Sequence, residues 1–385
     1  MQVIVIGAGV VGSSIAANAA EAGATVIVLE RGTPGVGTSS TSYAWVNANG
    51  KEPEAYFKLN AAGVRAHQNL AGDDAPWIVP GGHLEVAVDE AHARHLRNRV
   101  ERMHERGYPV EEVTRAHAQE LAPDLVVPQN NQALVFFPEE AHVFPLLYTA
   151  EMLTRARAAG AQIHTQTDVV AIEPSNGGAI VRTASGEQFA ADAVISAVGR
   201  WTADLATLAG ASVPMARFTD PGDITVGYLA STNPLPVSLN RLLTTPWLNV
   251  RPDGGGRLLM QALDLDATAD PDNVPTIDSD LAKEYLGRLQ EVLPGTEGAA
   301  IERLVVGQRA MPADGLTIVG PAIEHPWLYV VATHSGVTLA PLLGRSVAQE
   351  VLGGHEPLFD EFRPDRFATG VPGAPPRGPR KPGEQ

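Results

Sequence analysis

The stretch from Gln2 to Gly12 most constrains what this chain can become. Gln2-Val-Ile-Val-Ile6 is an apolar, β-branched run that breaks without a linker into Gly7-Ala-Gly-Val-Val-Gly12. Ser13 to Ala22 is small and apolar, suited to a helix lying on a sheet, and Gly23 is placed to end it. Thr25-Val-Ile-Val-Leu29 is a second strand-like run. The G-x-G-x-x-G spacing gives each glycine a task. Gly7 permits the tight turn, Gly9 lets a pyrophosphate approach the backbone, and Gly12 lets helix and strand pack closely. Val10 and Val11 open the helix, where unpaired N–H groups and about half a positive charge favour a phosphate. Glu30 ends the second strand, 23 residues after Gly7. A carboxylate there can accept both hydroxyls of an adenosine ribose and repels a 2′-phosphate. The unit predicts a bound dinucleotide.

Arg31 to Ser42 is rich in Gly and hydroxyl residues, too polar for a core element. Beside a pyrophosphate, Thr38, Ser39 and Ser40 can donate to phosphate or to a ribityl chain; the alternative is a plain surface loop. Tyr43 and Trp45 close this loop, either facing a flat ring system or capping the core.

At 385 residues the chain suits two domains, and 44% hydrophobic with 19% charged residues is ordinary globular composition. A net charge of −16 argues against a nucleic-acid partner, which needs a basic face. No apolar run reaches membrane-spanning length. A nucleotide fold opening at residue 2 leaves no room for a leader, which predicts a cytoplasmic protein. With no cysteine, disulfides and thiolate metal sites are excluded.

Further along, residues 54–71 carry a helical stripe that Asp73-Asp-Ala-Pro76 breaks, and Trp77 to Val88 alternates as strands do. His92 to Arg106 reads as a polar, solvated helix; its histidines His92, His95 and His104 have no partners at metal-ligand spacing, and no metal site is expected. Gly160 to Glu173 returns the chain to a parallel sheet, a hairpin follows over 179–190, and Asp192 to Ser196 is a strand ending at Gly199 and Trp201. Ala300 to Gly307 reads as the sheet resuming, then 315–320 and 327–332, before a last helix from Gly336 to Leu352. From Arg363 onward Pro, Gly and Arg dominate, which predicts disorder over 364–385.

Four separated stretches together resemble the FAD-dependent amine and amino-acid oxidoreductases typified by D-amino acid oxidase, glycine oxidase and sarcosine oxidase. They are Val3 to Gly12 with Glu30, Gly35 to Trp45, Asp192 to Trp201, and Gly307-Gln-Arg-Ala-Met-Pro-Ala-Asp-Gly-Leu-Thr-Ile-Val-Gly320 followed by Thr333-His-Ser-Gly-Val-Thr-Leu-Ala-Pro341. The resemblance implies an α/β fold: a Rossmann-type, glutathione-reductase-like FAD domain from 1–75, 141–215 and 305–363. A smaller mixed-sheet substrate domain would come from 76–140 and 216–304.

It also implies roles. Gly336, Val337, Thr338 and Leu339 would bring a helix N-terminus to the flavin pyrimidine edge, Val169 and Val170 would meet the adenine, and Gly199 and Trp201 would flank the cofactor. Arg309 matches the family's fork onto a substrate carboxylate, although Ala310 and Met311 stand where proline often follows; otherwise Arg309 is a surface ion pair. Tyr43 occupies the place of a flavin-linking histidine, so non-covalent FAD is expected. Arg257 to Ala262 offers no oxygen-activating lysine, leaving oxygen or another electron acceptor open.

The implied reaction oxidises the C–N bond of an amino acid or N-substituted amino acid, with hydride passing to flavin N5 and the imine then hydrolysed. Tyr43, Trp45 and His334 are candidate pocket residues, His334 equally able to hold its own loop; His83 and Trp247 are secondary candidates. The alternatives are an FAD-dependent dehydrogenase of a hydroxy acid, a non-catalytic FAD-binding protein, and a nicotinamide enzyme. Oligomeric state is not legible.

Overall fold

In the computed structural model, strand Gln2–Ile6 lies between Thr25–Leu29 and Ala193–Ser196, parallel to both, with Val5 opposite Val28 and Ile195. The structure describes residues 1–72 and 75–370. From Val3 to Ile6 the strand is apolar and buried because both its faces are covered, as parallel sheets require. Val3 and Val5 pack towards helices Val10–Glu21, Pro145–Ala158 and Gly336–Val351. Ile4 and Ile6 pack towards an antiparallel meander over 169–191 and helix Thr202–Leu208. The full six-stranded sheet runs in the order 318–321, 328–332, 193–196, 2–6, 25–29, 162–164, with only the first pair antiparallel.

The second sheet has eight strands, ordered 301–308, 226–232, 258–261, 249–252, 242–244, 83–87, 133–137, 111–112. It is antiparallel apart from the 242–244 and 83–87 pair. Strand alternation sorts its two faces. Val226, Tyr228 and Ala230, with Val250, Met260, Leu304 and Val306, pack with Ala282, Tyr285 and Leu289 of helix Asp280–Val292. Gly227, Leu229, Leu259, Gln261 and Arg251 take the opposite face and look towards the six-stranded half. A small ribbon of Trp45–Val46, Ala141–Val143 and Ile78–Val79 lies between the two.

Several expectations need correction. Ile301–Gln308 does not resume the parallel sheet; it is the edge of the eight-stranded one. Its burial alternates, with Glu302 and Arg303 exposed between Ile301 and Leu304, a pattern that a doubly covered parallel strand does not show. The expected division at 305 therefore falls inside one strand. Helix Glu90–Glu105 is not solvated along His92, which is buried with Nε2 3.0 Å from Glu85 Oε1. The C-terminal segment is ordered further than its composition suggests: Pro364–Phe367 forms a 3-10 turn, and Arg366 Nε lies 2.8 Å from Asp314 Oδ2. The remainder of the expected disordered tail, 371–385, lies outside the described residues, as do Asp73 and Asp74 of the expected helix break. No helix among the described residues is long and apolar enough to cross a membrane.

Candidate active site

The glycine turn builds the first wall. Gly7 has φ of +97°, a left-handed conformation that any side chain would strain, and its N–H donates to Leu29 O at 2.9 Å. At Gly12 a Cβ would come within 2.0 Å of Gly7 O, so glycine alone lets the helix start above the turn. Val10 N donates to Ser39 Oγ at 3.2 Å, which holds the hydroxyl loop against the helix N-terminus. Both oxygens of Glu30 accept backbone N–H groups, from Ala8 and Gly32, each at 2.8 Å. That grip fixes the carboxylate at the end of its strand and leaves lone pairs for a further donor.

One elongated cavity of about 610 Å³ runs from this wall to the eight-stranded sheet. Gly7, Gly9, Val10, Val11, Glu30, Arg31, Thr38, Ser39 and Val169 line it, with Gly199 and Trp201. Trp201 is flanked by two guanidiniums, Arg200 at 3.8 Å and Arg31 at 4.7 Å from its ring. No sequence motif singles out Arg200; burial, then the neighbouring Arg31, pushes its pKa down. Thr38 donates to Gln308 O at 2.9 Å and thereby ties the loop to the second sheet.

Tyr43, Trp45, Gln261, Arg309, His334, Gly336, Val337 and Thr338 line the same cavity. The helix Gly336–Val351 begins there, so its unpaired N–H groups sit at the cavity wall. Its first turn is braced: Thr338 Oγ1 donates to Trp45 O at 3.1 Å, and Ser335 Oγ lies 2.8 Å from Tyr56 OH. Trp45 Nε1 donates to Glu140 Oε2 at 2.8 Å, and Glu140, itself fully buried, also accepts from Asn49 Nδ2 at 2.8 Å. The Tyr43 hydroxyl is buried without a hydrogen-bond partner, and burial pushes its pKa up despite the nearby Arg251. Arg309 Nη1 donates to Ile224 O at 3.1 Å and to Val226 O, while Nη2 lies 3.5 Å from Asp266 Oδ2. It is an internal contact of the cavity wall rather than a surface ion pair.

Some expected residues stand elsewhere. Gly12 and Leu339 are buried behind the wall, one as a packing contact and one in the core. Ser40 donates back to Val36 O at 2.8 Å and lines a neighbouring chamber instead. Val170 turns outward and is exposed. His83 is wholly buried away from the cavity, stacked on Phe137 with Nε2 2.9 Å from Thr244 Oγ1. Trp247 is 41% exposed and outside the cavity, its carbonyl accepting from Arg288 Nη1. Sequence reasoning also misses Gln261, Arg251 and Glu140. The first two lie on short strands whose facing is set by register with distant partners, and no local motif marks them.

The glycine cradle, the two helix N-termini at the cavity wall and the Glu30 carboxylate fit an FAD. Residues 2–350 match the family described as FAD dependent oxidoreductase. The chain belongs to that family. This FAD dependent oxidoreductase is 28% identical over 363 residues to the glycine oxidase of Bacillus licheniformis, covering 91% of this chain and 92% of the relative. It is 25% identical over 382 residues to an opine oxidase polypeptide of Agrobacterium tumefaciens, covering 94% and 95%. The crystal structure of glycine oxidase from Geobacillus kaustophilus superposes with a TM-score of 0.80 at 25% identity, over 94% of this chain and 98% of that one.

Proposed function

We propose that this oxidoreductase oxidises the C–N bond of an amino acid or an N-substituted amino acid. The observation that carries the reading is that the Gly336 helix N-terminus and Arg309 line one cavity with the dinucleotide cradle. The glycine oxidase and opine oxidase names of its relatives support the same class. Bound FAD supplies a two-electron acceptor. Glu30, Val10, Val11, Ser39 and Thr38 hold its nucleotide half, Val169 meets the adenine side, and Gly199 and Trp201 flank it.

Around the reacting end, the first N–H groups of Gly336, Val337 and Thr338 favour developing negative charge. Arg309, anchored to two carbonyls and balanced by Asp266, presents a planar guanidinium to a substrate carboxylate. Tyr43 contributes to the wall while its uncharged hydroxyl lies buried behind it. Trp45 and Leu229 exclude water. A deprotonated amine needs no general base, and none is assigned.

Anaerobic mixing with D-, L- and N-alkyl amino acids, set against the matching hydroxy acids, tests the reaction. Amines should bleach the flavin; bleaching by hydroxy acids alone would overturn the reading. Arg309→Lys keeps the charge opposite Asp266 but loses the planar fork. It should raise KM for carboxylate substrates by about tenfold or more, from the value of charge-assisted hydrogen bonds, with FAD retention unchanged. Equal loss of both contradicts the role given to Arg309.

A further inference from the structure

We propose that a second chamber beside the cofactor cleft, with Arg251 on its floor, takes a carboxylate at the far end of the substrate. The substrate class is then an amino acid carrying an additional acid group several bonds from the reacting carbon. This rests on the amine-oxidation reading above and narrows it.

The chamber, about 360 Å³, meets the main cavity at Ser39, Ser42 and Leu229, which line both. Its floor is a single row across the eight-stranded sheet. Arg303 stands opposite Ser231, Ser231 opposite Leu259, and Leu259 opposite Arg251, so the four share one face. The next positions along the same face, Leu229, Val305 and Gln261, lead directly towards the main cavity. Phe144, Leu259 and Val305 give the chamber apolar walls suited to a methylene chain.

Arg251 is only 2% exposed, yet among the described residues no fully buried acid pairs with it. Its nearest carboxylate, Asp253 Oδ1, is 3.4 Å from Nη1 and partly exposed. Nε donates to Tyr43 O at 2.6 Å and Nη1 to Pro252 O, so these bonds use Nε and Nη1 and leave the Nη2 donors. A buried guanidinium with so loose a counter-ion is costly unless another anion completes its set. Asp253 also selects the kind of anion: it tolerates one negative charge opposite Arg251 and Arg303 and opposes a doubly charged phosphate. Arg309 lies six residues beyond Arg303, on the order of 20 Å of strand. Arg303 shares its row with Arg251, so Arg251 and Arg309 suit opposite ends of an elongated molecule, not one carboxylate.

The test is calorimetric titration of the FAD-loaded enzyme with α,ω-dicarboxylates from suberate to hexadecanedioate, each against the monocarboxylate of equal chain length. At least one diacid should bind about tenfold or more tightly than its partner, as a charge-assisted pair implies, with an optimum length. Arg251→Gln should abolish that preference and leave monoacid binding within about twofold. Absence of any diacid preference in the wild type, or its survival in Arg251→Gln, would overturn the proposal. If Arg251→Gln does not retain FAD, Asp253→Asn decides: removal of the competing carboxylate should strengthen the preference, and an unchanged or weaker one refutes it. The titration needs no turnover. Failure of the amine-oxidation reading shows separately, as a flavin that no amine bleaches.

Discussion

The two halves of this molecule make their binding surfaces from different materials. The six-stranded half uses backbone: a turn that only glycine can make, helix N–H groups, and carbonyls and amides at strand ends. The eight-stranded half uses side chains, and it buries charge to do so. Glu85 is wholly buried, bonded by Arg99 and by His92 Nε2 at 3.0 Å. Burial alone would push the Glu85 carboxyl up; Arg99 beside it, with His92 and His83, overrides that and holds it down at about 2. Arg309 with Asp266 repeats the device closer to the cavity, whereas Arg251 has only the partly exposed Asp253 beside it. A backbone site tolerates no added atom, whereas a side-chain site tolerates resizing but not the loss of one charge from a pair. That difference sets what each half should do when altered.

The largest effect belongs to the backbone half. In Gly12→Ala the new methyl would sit 2.0 Å from Gly7 O, and neither the turn nor the helix has a flexible end to yield. Stability should fall by on the order of 3 kcal/mol or more, and the purified protein should be colourless. Thermal melting and the flavin absorbance after gel filtration report both. A yellow, stable Gly12→Ala would mean that the wall is more plastic than its geometry allows, and the contrast between the halves would weaken.

Next comes Arg99→Met, which strands Glu85 in the core of the other half. Breaking a buried pair by removing one partner costs about 3–5 kcal/mol. Here the two readouts should separate: a lower denaturant midpoint, with FAD still bound in the folded fraction. If FAD retention fails in parallel with stability, the eight-stranded sheet supports the cradle more directly than its position suggests.

The same difference explains what is legible in the sequence. Gly7, Gly12 and Glu30 are close in the chain because a strand, a turn and a helix are local, so spacing alone places them. The last helix is also legible, since Gly336 follows an apolar strand ending at Ala332 after a short turn. The second half resists reading because its face assignment is non-local. Ala300 to Gly307 looks like any apolar strand until its partner, 226–232, shows it to be an antiparallel edge. Arg251 sits in a four-residue strand, and only its cross-strand neighbours Leu259 and Ser231 reveal which way it faces. His92 misleads for a similar reason. Helix Glu90–Glu105 is polar overall, and the carboxylate that buries its first histidine comes from the sheet beneath. Trp247, an aromatic that invites a pocket role, lies on the outside because it falls in the turn between two short strands.

Acid should separate the halves in time as well as in kind, with the smallest effect of the three. His67 lies in the backbone half, buried against Trp77 and Tyr148, and its Nε2 donates to Val337 O at 2.8 Å at the start of the last helix. A carbonyl only accepts, so Nε2 carries the proton, and Nδ1 has no partner. Burial drives the ring's pKa down from 6.5 to about 4, partly offset by the bond to Val337. The unfolded chain therefore takes up this proton at higher pH than the folded one. Stability from the neutral ring is complete above 6.5 and is lost as pH falls through about 4, on the order of 3 kcal/mol in total. Glu85 is also depressed, from 4.5 to about 2, so its contribution is complete above 4.5 and drains only as pH falls through 2. His142 in the ribbon between the sheets, lowered by burial to about 2, adds a broad loss across both windows. Flavin fluorescence should thus rise, on release, at a higher pH than the β-sheet circular dichroism decays. His67→Gln keeps a donor for Val337 without a titrating group and should move flavin release to lower pH, while binding at pH 8 stays the same. Release at an unchanged pH in that variant would show that the cradle is opened by some other proton, and the two acid windows would no longer map onto the two halves.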